Sequence, residues 1–361
     1  MTITNLSREN PSSETTPVAN GTNAVAIGSG AAANGQHSFS IGQNTVSGTT
    51  GGNNYAVAIG YAATGTGAFS TSVGGFTDAT AQHALAVGTY AQATGVRSSS
   101  IGRALASGAD SFASSLTSTS SSYGAQGASS VAIGKEAKAT GAGSIALSTK
   151  TYAGGAAATG SGSVAIGDGA AASGLLGMAI GRGATASGIM SMAYGRDSQA
   201  TQEESKAFGY RSYSDVTGCF AYASGYFGAA NGDAQGRQYI LRKATTDATA
   251  TVLTTDVENG TANNQIKVPT NSVVVFDGVI TACQSGVAAY AGWRVEGMIT
   301  NDGGTTVIQN NTITAIKNES GWRCRLSAND STDSLVVTVT GEASHNIRWV
   351  ANIRTVETIY A

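Results

Sequence analysis

The stretch AVAIGSGAAANG (24–35) returns as YAVAIGYAATGTG (55–67), HALAVGTYAQATG (83–95), SVAIGDGAAASG (163–174) and LGMAIGRGATASG (176–188). The unit reads apolar, Ala or Ser, Ile or Val, Gly, two variable residues, then small and variable residues in alternation up to a second glycine. With the first glycine as anchor, the series runs 28, 42, 60, 74, 88, 102, 115, 134, 148, 167, 181, 195, 209 and 223, where Ser115, Ser148 and Ala223 replace glycine. Most steps are 14 residues; the longer ones, 42 to 60, 115 to 134 and 148 to 167, carry four or five extra residues, and 102 to 115 is one short. A period this short leaves no room for a helical hairpin and lacks the three-and-four spacing of a helix, so each repeat is expected to be a coil of two short strands and two turns. In Val25-Ala26-Ile27 a methyl separates two branched residues, as a strand of period two requires. Gly28 then supplies the turn. The run Ala31-Ala32-Ala33 needs tiny side chains because the two strands of so narrow a coil nearly touch.

Composition agrees. The 361 residues include 49 glycines but only three prolines, Pro11, Pro17 and Pro269, so the ladder from 18 to 268 is uninterrupted. Glycine does not recur every third residue, which excludes collagen. A net charge of −2, from 20 basic and 22 acidic residues, removes the electrostatic basis for binding nucleic acid or an anionic membrane. No apolar run is long enough to span a bilayer, and the amino terminus has no cationic and apolar export signal. Cys219, Cys283 and Cys324 are far apart and odd in number, and are expected to be small buried thiols.

Each coil brings about two branched residues and a few alanines against the ordering of its whole backbone, so a single filament is marginal. A second packing face against other copies is the expected remedy, making the chain an obligate oligomer.

The repeats, with SVAIG and a trailing AxAxG, resemble the head repeat of YadA-type trimeric autotransporter adhesins. The resemblance covers about 21–236 and implies a homotrimer of left-handed parallel β-rolls, here of about 14 coils. Residues 109–123 and 143–155 lose the glycine anchor. The export signal, heptad stalk and carboxy-terminal membrane strands of that family are not found, which points to another setting for the repeat.

Composition shifts near Gly236. Only nine glycines lie in 237–361, while Trp293, Trp322 and Trp349 all do. Alternation predicts strands at 272–284, 291–300, 305–317, 322–328, 334–341 and 346–356, with turns at Asp302-Gly303-Gly304, Asn329-Asp330 and Gly341-Glu342. About eight antiparallel strands make a β-sandwich or jelly roll. Segments such as WRVEGMITNDGGTT and RLSANDSTDSLVVTVTGEA are similar to carboxy-terminal domains of tailed-phage tail or fibre proteins. The chain thus divides into an arm (1–20), coils (21–236) and a sandwich (237–361).

Candidate binding residues follow. Arg294, Arg323, Arg325 and Arg348 could hold carboxylated sugars or phosphates, although ten basic residues against eleven acidic ones in 237–361 favour mixed-charge faces. Asp302 and Asp330 could ligate calcium, but beside glycine or asparagine they read as turn formers. His37 and His83 occupy the same place in their repeats and His345 a turn, without metal-ligand spacing. The aromatic residues between Tyr194 and Phe227 could stack sugars, but are expected to thicken the core where the coils meet a larger domain. Carboxylates in the coils are sparse and unpaired apart from Glu203-Glu204 in a polar turn, so a glycosidase cleft lacks candidates, and no enzymatic activity, cofactor or metal is expected. The expectation is a tailed-phage tail fibre. Its arm, with Asn10, Pro11 and Pro17, docks on another virion protein, and its sandwich meets a host surface glycan or protein. A capsid decoration fibre and a cell-surface adhesin are the alternatives.

Overall fold

The computed structural model describes residues 15–50, 54–116, 122–149, 154–228 and 230–360. Every regular element among them is a β-strand, and none is a helix long and apolar enough to cross a membrane. The chain forms two compact units, 1–176 and 177–361.

The first unit is a run of parallel coils. Strands such as Val25–Ile27, Phe39–Ile41, Val57–Ile59, Thr71–Val73 and Leu85–Val87 stack in register residue for residue, and two-residue strands such as Ala32–Ala33 and Gln92–Ala93 stack beside them. The anchors align where glycine is lost: Gly102 pairs with Ser115 and Gly134 with Ser148. There the strand runs on, as Phe112–Ser115 and Ile145–Thr149, instead of turning at once. The longer steps are absorbed between strands. The glycine requirement is steric at Gly42, whose φ of 125° is joined by an approach that would leave a Cβ 1.7 Å from the carbonyl oxygen of Gly60.

The coil interior holds mainly small side chains, alanine methyls beside the hydroxyls of serines and threonines such as Ser38, Thr45, Ser98 and Ser144. Ala33, Ala58, Ala86, Ala93 and Ala146 are fully buried. Where serine replaces the alanine of the longer strand at Ser40 and Ser72, its hydroxyl is satisfied across the narrow coil: Ser40 donates to Thr45 Oγ1 at 2.8 Å, and Ser72 to Thr77 Oγ1 at 2.7 Å. The branched residues on either side of each alanine point the other way and stay partly exposed.

At one corner of the coils a column of residues adopts left-handed φ, including His37, Tyr55, Phe69, His83, Arg97 and Asp110. His37 stacks on Tyr55 at 4.7 Å, Tyr55 on Phe69 at 5.1 Å and Phe69 on His83 at 5.0 Å, with the rings nearly parallel. The histidines are therefore ring partners in a ladder. Arg97 and Asp110 continue it as a bidentate ion pair.

The arm reads differently at its end. Pro17 is buried and leads into Val18–Ala19, which pairs with Ala32–Ala33, so those residues belong to the coils; Asn10 and Pro11 lie outside the described residues.

The second unit opens with the coil strands Met178–Ile180, Met192–Tyr194, Lys206–Gly209 and Phe220–Ala223. Over both units the turns number about fourteen, as the anchors predict. Strand Ala234–Thr245 pairs antiparallel with the last coil strand through Gly236–Gln238 and begins a five-stranded antiparallel sheet. Its order is Ala234–Thr245, Ile347–Ile359, Ser272–Gln284, Tyr290–Asp302, Thr305–Lys317. A smaller sheet is centred on Ser334–Thr340, with Arg323–Asn329 on one edge and Ala250–Val252 and Ile266–Lys267 sharing the other. The core between the two sheets includes Tyr239, Phe276, Ile280, Trp293, Trp322, Val337 and Trp349. Trp349 lies 5.7 Å from Trp293 and 5.8 Å from Trp322, and its indole N–H donates to Thr245 Oγ1 at 2.9 Å. The sandwich predicted from alternation is present; the compositional shift at 236 falls inside its first strand.

Cysteine burial departs from expectation. Cys219 is buried, Cys324 half-buried and Cys283 exposed, because Cys283 sits at an outward position of its strand.

Candidate functional site

The larger sheet packs one face on the core and leaves the other open. Register fixes what stands on the open face in successive rows across the strands. The row Gln238, Arg354, Asp277, Glu296, Thr312 is flanked by Ile240, Asn352, Val279, Arg294, Thr314 on one side and by Gly236, Val356, Val275, Met298, Asn310 on the other. The last coil strand extends two of these rows, since Phe220 is paired with Gln238 and Tyr222 with Gly236.

Two polar pairs lie in the middle. Arg354 Nη2 donates to Asp277 Oδ2 at 2.5 Å, and Gln238 Nε2 to Asn352 Oδ1 at 3.0 Å. A depression of about 440 Å³ over them is lined by Arg294 and Glu296 among others, and a second of about 350 Å³ adjoins it beside Phe220, Tyr222 and Val356. Asp277 and Arg354 border both. The arrangement presents a mixed-sign centre with apolar and aromatic residues on one flank.

Behind this face, buried charges fix the sheet to the last coils. Arg237 donates to Glu357 Oε1 at 2.8 Å and to Asp215 Oδ1 at 2.6 Å, and Gln235 also donates to Glu357. Burial pushes the Glu357 carboxyl above its ordinary value, with Arg237 opposing. Burial likewise raises the Tyr239 hydroxyl well above its ordinary value and pushes the Cys219 thiol up to about 12.

The predicted binding residues do not converge. Arg294 and Arg348 stand on the open face. Arg323 and Arg325 project from the outward side of the smaller sheet, since Trp322, Cys324 and Leu326 take the inward side. Asp302 accepts the Tyr360 hydroxyl at 3.0 Å, and Asp330 accepts the Thr306 N–H at 2.6 Å, both structural uses. His345 Nδ1 lies 3.0 Å from Glu342 Oε2 within its turn. Among the described residues no group of three or more His, Cys, Asp or Glu is placed to hold a metal ion. The aromatic residues of the last coils are not core filling: Tyr194 and Tyr222 are more than half exposed, on the outward side of their strands. The sequence singles out none of Asp277, Glu296, Asn352 and Arg354 as binding residues, although alternation in their strands already places Glu296, Asn352 and Arg354 outward and SVVVFDGVITACQ does the same for Asp277.

Comparison with known proteins gives two kinds of finding. The profile of the YadA head domain repeat (2 copies) matches residues 19–45, 79–104 and 125–147, and then overlapping segments 154–170, 158–184, 172–198 and 186–212. No curated protein matches. Among solved structures, the chain is similar to the tailspike protein gp49 of Acinetobacter baumannii bacteriophage Fri1, a capsular polysaccharide depolymerase. Identity is 10%, the TM-score is 0.24, and coverage is 92% of this chain and 63% of that one. It is also similar to the tailspike protein of Acinetobacter baumannii phage AM24, with 9% identity, a TM-score of 0.19 and coverage of 92% and 55%. The chain therefore spans less than two thirds of the length of either tailspike. The expectation that the chain belongs to a class without enzymatic activity is corrected by the first of these, since a capsular polysaccharide depolymerase is an enzyme. The matched segments lie between residues 19 and 212 and are what this part of the chain is similar to.

Proposed function

We propose that the chain is a homotrimeric surface fibre of a tailed phage, whose coils associate along the outward face of their longer strands and whose sandwich meets the host surface. One observation carries the trimer: the coils bury their methyl groups and expose their branched side chains. Ala58, Ala86 and Ala146 have no contact with water, whereas Phe39, Ile101, Ile133 and Ile145 are each more than a third exposed. Such a strip along parallel strands is an interface lacking its partner, and self-association of identical strips closes it. Three identical sandwiches on one assembly raise avidity through effective concentration even when each contact is weak.

The virion setting rests on the resemblance of the sandwich to phage fibre domains. The YadA repeats themselves suit a cell-surface trimeric adhesin equally well, and a fibre on the capsid shares the architecture. The test is competition: purified protein should block adsorption of the parent phage to host cells, and antibody against 237–361 should label a tail appendage. Unimpaired adsorption together with labelling across the head would overturn attachment and favour decoration. Reducing ends released from host capsular polysaccharide in the same incubation read whether binding is accompanied by cleavage.

A further inference from the structure

We infer that the open face of the five-stranded sheet is covered by a second copy of this chain, so that the interchain seam of the coils continues into the sandwich. The inference rests on the trimeric reading and adds where the sandwich takes part in it.

Three observations carry it. The sheet is continuous with the coil strands of its own unit, because Ala234–Thr245 pairs directly with Phe220–Ala223. The outward side of Phe220 and Tyr222 is therefore the same side as that of Gln238, Val356 and Val275. That side is apolar to a degree unusual for a water-facing sheet: Val275 is 53% exposed, Val279 47%, and Val356 68%. Its centre carries both signs. Asp277 and Arg354 neutralise each other, while Arg294 and Glu296, two residues apart on one strand, have no ion-pair partner in their own chain among the described residues. An anionic glycan would select a basic face, whereas neighbouring basic and acidic residues complement the same pair on another copy related by rotation. The coverage leaves the smaller sheet, with Arg323 and Arg325 outward, as the sandwich surface free to meet the host.

The test uses full-length protein with Cys283→Ser and Cys324→Ser, bearing either Val279→Cys or Arg325→Cys. Maleimide labelling of the native assembly is followed by peptide mass spectrometry, and the mass of each variant is measured in parallel. The expected result is a trimer in both cases. Val279→Cys should label on the order of tenfold more slowly than Arg325→Cys, the difference being set by access of the thiol to reagent, and a short bismaleimide should link copies only through Val279→Cys. A trimer in which both thiols label at equal rates and neither is linked overturns the inference and leaves the coil seam standing. A folded monomer overturns the trimeric reading and this inference together.

Discussion

The Arg237 guanidinium and the Glu357 carboxylate meet at 2.8 Å with both side chains excluded from water, joining the neighbouring strands Ala234–Thr245 and Ile347–Ile359. Asp215, from the turn of the penultimate coil, is the only other charged partner of that arginine among the described residues. A buried pair of this kind adds little over an apolar substitute, but removing one member strands the other in a medium that cannot solvate it. Arg237→Ala is therefore expected to destabilise the second unit by about 3–5 kcal/mol, and Arg237→Met combined with Glu357→Gln by much less. Chemical denaturation of the single and double variants measures the difference; equal losses would show that the charges themselves are indispensable.

The same carboxyl gives a pH dependence of definite sign. Burial holds the Glu357 pKa above its unfolded value, so between the two values the folded state binds the extra proton. Its contribution is present in full below the unfolded value and is lost as pH rises through the folded one. Melting temperatures of the native protein and of Glu357→Gln, followed from about pH 4 to about pH 7, should shift relative to each other in favour of the native protein as pH falls. A relative shift in the opposite direction would mean that Arg237 outweighs burial.

Inside and outside positions of one coil strand should respond in opposite ways. Ala86→Leu forces three more carbons into a space filled by opposing alanines and is expected to cost more than about 3 kcal/mol. Leu85→Ala removes only an outward side chain. It should leave the fold of the coil intact while making the melting temperature depend more steeply on protein concentration. If Leu85→Ala unfolds a monomer as severely as Ala86→Leu, the outward strip is not an intermolecular face.

The stacked column sets backbone strain against ring contact. Phe69 holds a φ of 59°, which glycine adopts freely, yet its ring stacks on Tyr55 and His83. Loss of two stacks, about 0.5–1.5 kcal/mol each, nearly offsets the relief of about 1–2 kcal/mol in left-handed strain, so Phe69→Gly should change stability little. Phe69→Val loses the stacks, keeps the strain and adds a β-branch, and should be the worst of the series. Thermal melts of Phe69→Gly, Phe69→Ala and Phe69→Val, in that order of decreasing stability, check the balance.

The coils were legible because the same short apolar motif returns at each turn, at a spacing of 14 residues in most: register aligns Gly102 with Ser115, Gly134 with Ser148 and Gly209 with Ala223 even where the glycine is gone. The strand Ala234–Thr245 was not legible because its inward positions include Gln235 and Arg237, polar residues whose burial is made tolerable only by Glu357 more than a hundred residues away. The open face was half legible. Alternation marks Asp277 and Arg354 as outward, but their pairing depends on the strand order that places Ser272–Gln284 beside Ile347–Ile359, which no local pattern encodes. Tyr194 and Tyr222 were misread as core because aromatic residues usually are; in these coils the interior is filled mostly by alanine, serine and threonine, and these two rings are turned out.

Sedimentation equilibrium of the purified full-length chain tests the central claim most directly. The account predicts one folded species with the mass of three copies of the 35.9 kDa chain, persisting on dilution. A folded species with the mass of a single copy would contradict it.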